Sequence, residues 1–172
     1  MNNPSSDKVE SRTQTASFDS VEARHAIEKL RSEQNLPFGI LAGTAAALVG
    51  AGIWAGITAA TEYQIGFMAI GVGILVGLAV RVGGKGLDPI FGIIGAVLAG
   101  LGCGLGNLLA GGIFLAAREQ VGILQVLSAL DFELAKALMV AMFNPIDLLF
   151  YGLAIYEGYR FSFRPLVVPK AG

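Results

Sequence analysis

One cysteine and one histidine make up the soft metal-ligand chemistry of 172 residues. Cys103 has no second cysteine for an internal disulfide, and with His25 alone beside it the chain has no Cys/His cluster for zinc. No metal or cofactor is expected. Charge is scarce as well: 15% of residues are Asp, Glu, Lys or Arg, against about a quarter in an average soluble domain. The formal net charge of -1 leaves no basic face to displace counterions from phosphates, which argues against nucleic acid as a partner. The opening stretch "MNNPSSDKVESRTQTAS" has no basic segment running into an apolar one, so no cleavable secretory signal is expected there.

Apolar residues are abundant instead, at 54%, with 24 glycines. That composition points to an all-α integral membrane protein, and the charge-free runs place its elements. Residues 1–17 are too polar to bury a core and read as a disordered cytoplasmic tail. Residues 18–36 carry Val21, Ala26, Ile27 and Leu30 near one helix face and charges on the rest, the pattern of a juxtamembrane amphipathic helix. The membrane domain, 37–165, divides into spans at about 38–60, 65–81, 90–117 and 145–161, each bounded by charge or turn residues. Residues 166–172 form a second cytoplasmic tail.

Residues 121–143 are apolar enough to imitate another span, but Asp131, Glu133 and Lys136 sit in the middle. Each charge costs about 2.5–3.5 kcal/mol at a helix centre, against roughly half a kcal/mol gained per large apolar residue. Ile123, Leu127, Leu130, Leu134 and Leu138 recur at helical spacing, so the segment reads as an amphipathic helix or helix pair in the interface plane. Asn144, Pro145 and Asp147 then supply an N-cap, a first-turn proline and a capping-box acid for the last span.

With four spans, ten of the 12 lysines and arginines fall on one side of the membrane. Only Arg118 and Lys136 fall on the other. Both termini are therefore expected in the cytoplasm. Trp54 and Tyr63 at one boundary, with Tyr156 and Tyr159 at the other, suit aromatic belts. "FGI" opens both the first span, at Phe38, and the third, at Phe91; a two-hairpin duplication would explain the echo, and so would chance in so biased a composition.

Two glycine-rich stretches imitate nucleotide loops. "GLGCGLG" lies inside an uninterrupted apolar run, whereas phosphate binding needs free N-H groups at a helix start. "VGGKGLD" has Ala79 and Gly86 where a P-loop needs Gly and Ser or Thr. Small residues four apart fit helix packing better: Gly52 and Gly56, Gly73 and Gly77, Gly100 and Gly104, Gly102 and Gly106. The third span carries two such stripes, which places it centrally.

Three polar residues in or near the bilayer are candidates for function: Asn107, Asp147 and Glu157. Each also has a structural reading: interhelical glue for Asn107, a helix cap for Asp147, and for Glu157 an interfacial acid that snorkels or pairs with Arg160. No nucleophile and base occur together, and no enzymatic activity is expected.

The blocks "YQIGFMAIGVGILVGLAVRVGGKG" (Tyr63 to Gly86), "FGIIGAVLAGLGCGLGNLLA" (Phe91 to Ala110) and "FNPIDLLFYGLAIYEGYRFSF" (Phe143 to Phe163) resemble a group of small bacterial inner-membrane proteins of unknown function. The resemblance implies four spans in the inner membrane and carries no activity or site. The expected function is a non-enzymatic scaffold or subunit that packs in the lipid bilayer against a membrane-protein partner or copies of itself. The alternative is a small oligomeric transporter or channel with a polar path through Asn107 and Asp147.

Overall fold

A computed structural model describes residues 23–63 and 66–165, and among these every regular element is helical. The expected tails at 1–17 and 166–172 lie outside the described residues. So do residues 18–22 of the expected juxtamembrane helix. Helix α1 covers residues 23–32, short of the expected end at 36, and its last turn closes with Gln34 N-H donating to the Arg31 carbonyl at 3.2 Å. It forms a unit apart from residues 35–164.

The second unit contains α2 (Leu36–Thr61), α3 (Met68–Gly84), α4 (Pro89–Arg118), α5 (Ile123–Ser128), α6 (Phe132–Met142) and α7 (Asp147–Phe161). Local chemistry fixes most of the starts. Asn35 caps α2 by accepting from Phe38 N-H at 3.0 Å. Pro37 and Pro89 occupy first-turn positions, where a missing N-H leaves no bond unmade. Asp131 caps α6 by accepting from Leu134 N-H at 2.7 Å. That cap ends the apolar run of 121–143 as one helix and divides it into α5 and α6.

Boundaries differ from expectation where a charge marks the expected end. Helix α3 runs past Arg81 to Gly84, because a cation in the last turn complements the helix dipole rather than stopping it. Its expected start at Ile65 lies outside the described residues.

Helices α2 and α4 are long and apolar enough to cross a membrane. Helices α6 and α7 add a third candidate if the pair, bent by 105°, is one span, and α3 is a shorter apolar helix of 17 residues. This is the anatomy of a membrane protein.

Four helices form a bundle in the cyclic order α2, α3, α7, α4, with α3 and α4 also touching across the middle. Helix α4 packs against all five other helices of its unit. Small residues allow this. A Cβ on Gly73 would meet the Ala154 Cα at 2.7 Å, and one on Gly158 would meet the Ala99 Cβ at 2.7 Å. At the α3–α4 turn, Gly84 and Gly86 leave room for the Phe91 ring, and Asn35 N-H bonds to the Gly84 carbonyl at 2.9 Å. The glycines of "VGGKGLD" therefore seat an aromatic ring. Helices α5 and α6 close the opposite end over Gly111 and Gly112 of α4, burying Val126 and Leu138 and leaving Glu133 and Lys136 exposed.

Candidate functional site

The inward face of α2 continues from Gly39, Gly43 and Ala47 through Ala51 to Trp54 and Thr58. Trp54 is 1% exposed, so the expected place in an aromatic belt is corrected: the residue lies on the face of α2 turned inward. Its ring fits there because Gly106 has no side chain; a Cβ on Gly106 would meet the Trp54 ring at 2.7 Å. Tyr63, Tyr156 and Tyr159 are exposed.

On α4, Cys103 and Asn107 follow each other by one turn on a buried face. The Cys103 thiol donates to the Ala69 carbonyl at the start of α3, at 3.6 Å. Asn107 is 2% exposed. Across from them, Asp147 and Tyr151 follow each other by one turn on α7. Tyr151 lies within electrostatic reach of Cys103 and Asp147, and the Asn107 side chain is the polar group that meets its hydroxyl. Trp54 and Tyr151 therefore flank one turn of α4, from α2 and from α7.

No family model, curated protein or solved structure matches this chain. Function must be argued from this geometry.

On the α2 side of this layer two polar atoms are buried without a partner, Trp54 Nε1 and Thr58 Oγ1. A buried polar group without a hydrogen bond is among the more expensive features a bundle can hold. Asp147, at the layer's rim, is well partnered. Asn144 N-H donates to Asp147 Oδ2 at 2.9 Å, and Ile146 N-H donates to Asn144 Oδ1 at 3.2 Å; the expected partners thus meet in the turn just ahead of α7, whose N-cap is Ile146 rather than Asn144. Asp147 Oδ1 also lies beside Gly66, just ahead of α3, where a carboxylate suits the helix dipole. Gly66, Phe143, Asn144, Asp147 and Phe150 line a cleft of about 330 Å³ between α6 and α7.

Asn107 and Asp147 thus belong to one neighbourhood, and Glu157 does not. Six residues past Tyr151, about 9 Å along the helix, Glu157 has an Oε2 atom that is buried and unpartnered. Of its two expected roles, the pairing with Arg160 is not made: the Arg160 guanidinium sits over the Phe161 ring at 5.9 Å.

The candidate packing glycines divide by face. Gly73, Gly77, Gly102 and Gly106 lie against neighbouring helices, and Gly100 makes ordinary contact with Ile155. Gly52, Gly56 and Gly104 have nothing within 4 Å of an added Cβ. Sequence reasoning missed the α7 stripe Ala154, Gly158 and Ser162, which zips against α3 and α4; its four-residue spacing was the available signal. It also passed over Thr58, a single hydroxyl in an apolar run.

Among the described residues no three or more of His, Cys, Asp and Glu gather to hold a metal ion. What the layer can do chemically is donate and accept hydrogen bonds.

Proposed function

We propose that the chain is a four-span bacterial inner-membrane protein of the group its three blocks resemble, and that it is a non-enzymatic scaffold or subunit acting through helix packing. The observation that carries this reading is the outward face of α2. Gly52, Gly56 and Ala60 are exposed there, and the two glycines have nothing within 4 Å of an added Cβ. In lipid there is little hydrophobic drive between helices, and a small-residue face is where a second backbone can approach closely.

In this reading α2, α3, α4 and α7 are the spans. At 17 and 15 residues, α3 and α7 reach only about 22–26 Å, so local thinning and their flanking residues complete the crossing. Helices α5 and α6 lie in the interface with Glu133 and Lys136 toward water, and both termini are cytoplasmic by the lysine and arginine bias.

A photo-crosslinking residue at position 56, used in the native membrane, tests the scaffold. The expected product is an adduct to a second copy or another membrane protein, lost when Gly52 is changed to Leu. Adducts to lipid alone overturn the reading. A reporter fused after Gly172 that reads as periplasmic would overturn the topology.

A further inference from the structure

Charge is divided between the two ends of the bundle. Arg81 and Lys85 stand four residues apart where α3 ends, and Arg160 and Arg164 are spaced alike where α7 ends. Arg164 N-H donates to the Gly86 carbonyl at 2.8 Å, and a Cβ on Gly77 would meet the Phe161 Cβ at 2.8 Å, so both pairs share one end. Of the carboxylates in this unit, Asp88 and Glu157 lie toward that end. At the opposite end Arg118 and Lys136 stand among five carboxylates.

Neither ion pairs nor helix dipoles offset the basic end. Among the described residues no carboxylate pairs with Arg81, Lys85 or Arg160. The C-termini of α3 and α7 each carry about half a negative charge. Helices α2 and α4 start at this same end, where Asn35 N-H bonds to the Gly84 carbonyl and the Phe91 ring lies over Gly86, so their positive ends cancel that contribution.

The surface below the cations is apolar. Helices α3 and α7 run in the same direction, Gly66 lying beside Phe150, Gly73 beside Ala154 and Gly77 beside Phe161. Each carries an exposed stripe that ends in a cation: Leu75, Leu78 and Val82 ahead of Lys85, and Leu149, Leu153 and Tyr156 ahead of Arg160.

We propose that this face of α3 and α7 binds an anionic phospholipid, with its phosphate among Arg81, Lys85 and Arg160 and its acyl chains along the two stripes. The inference rests on the reading of α3 and α7 as membrane spans. Free phosphate would meet the cations and leave the stripes uncovered. A zwitterionic lipid would cover the stripes and set its own ammonium against the cations. Charge therefore selects the headgroup, and the apolar stripes select a lipid over a free anion.

The full chain is reconstituted in phosphatidylcholine bilayers with a trace of spin-labelled phosphatidylglycerol or of spin-labelled phosphatidylcholine. The motionally restricted share of each label gives its relative affinity for the protein surface. Phosphatidylglycerol should be preferred roughly two- to fivefold, and the preference should shrink as salt is raised. Lys85→Gln and Arg160→Gln should each remove about half of it or more, whereas Arg118→Gln, at the acidic end, should leave it unchanged. Lys85 and Arg160 are exposed, circular dichroism identifies any variant that has not folded, and the salt series needs no variant. Equal affinity of the two labels overturns the proposal. So does a preference that Arg118→Gln lowers as much as Lys85→Gln and Arg160→Gln do, or one that inorganic phosphate abolishes at constant ionic strength. If labelled phosphatidylcholine has no restricted share at all, the spanning reading fails and the proposal with it, an outcome distinct from equal affinity.

Discussion

Replacing Gly73 with alanine should test whether backbone contact between α3 and α7 holds the bundle. An added Cβ at Gly73 would stand 2.7 Å from the Ala154 Cα and 2.8 Å from its carbonyl carbon. Ordinary contact begins at 3.4 Å and the Ala154 carbonyl oxygen stands closer still, so the helices must part by at least about 0.7 Å. Backbone cannot swing aside as a flexible side chain can, and a gap of that size forfeits a quarter to a half of each dispersion well along the interface. Overpacking of this kind costs about 1–3 kcal/mol. Alanine also suits a helix interior better than glycine, by about 0.5–1 kcal/mol. Gly52→Ala provides the control, because it gains the same propensity and meets nothing within 4 Å. The difference between the two variants isolates the packing term, at about 1–3 kcal/mol against Gly73→Ala. Unfolding by sodium dodecyl sulfate, in micelles dilute enough to keep single chains, measures it. Equal stability of the two variants would refute the packing argument.

Three further outcomes are expected in the same assay. Phe91→Ala should lower stability by about 3–5 kcal/mol, since the ring is 3% exposed and fills the space over Gly84 and Gly86; a loss below about 1 kcal/mol would mean that the turn collapses around the vacancy. Asp147→Ala should cost about 1–3 kcal/mol by leaving Asn144 N-H unmade at the start of α7, and Asp147→Asn, which keeps an acceptor, less than half of that; equal losses would assign the effect to charge instead. Glu157→Met should hold stability or raise it, because the side chain carries a buried oxygen with no partner; a loss above about 1 kcal/mol would show that the carboxylate has an unrecognised role in folding.

The helices were readable because lipid imposes simple rules: charge-free runs, first-turn prolines at Pro37 and Pro89, and a pairing of Asn144 with Asp147 that the structure makes just ahead of α7. Which face of each helix turns inward was not. A soluble helix marks its buried face by contrast with a polar one, but α2 is apolar all round. Gly52 and Gly56 follow the same four-residue rule as Gly39 and Gly43, and only the latter pair is buried. The rule finds places where helices can touch and does not say which of them do so within one chain. Trp54 shows the same loss of information: its place in the sequence suited an aromatic belt, and its rotation about the helix put it opposite Gly106 instead.

That rotation also explains why the polar layer escaped the sequence reading. Thr58 and Tyr151 stand more than ninety positions apart, and neither is exceptional where it stands. They become a feature only because α4 brings a glycine and an asparagine, Gly106 and Asn107, between the helices that carry them. Glycine admits the indole, and asparagine gives the phenol a polar neighbour, so one pair of adjacent residues meets a ring from each side. Elsewhere the chain fills the same interhelical space with Ala99, Ala154 and Gly158, side chains that need no hydrogen bonds. A bundle that can pack one interface with alanine and glycine had no packing reason to bury Trp54 Nε1 and Thr58 Oγ1 at another.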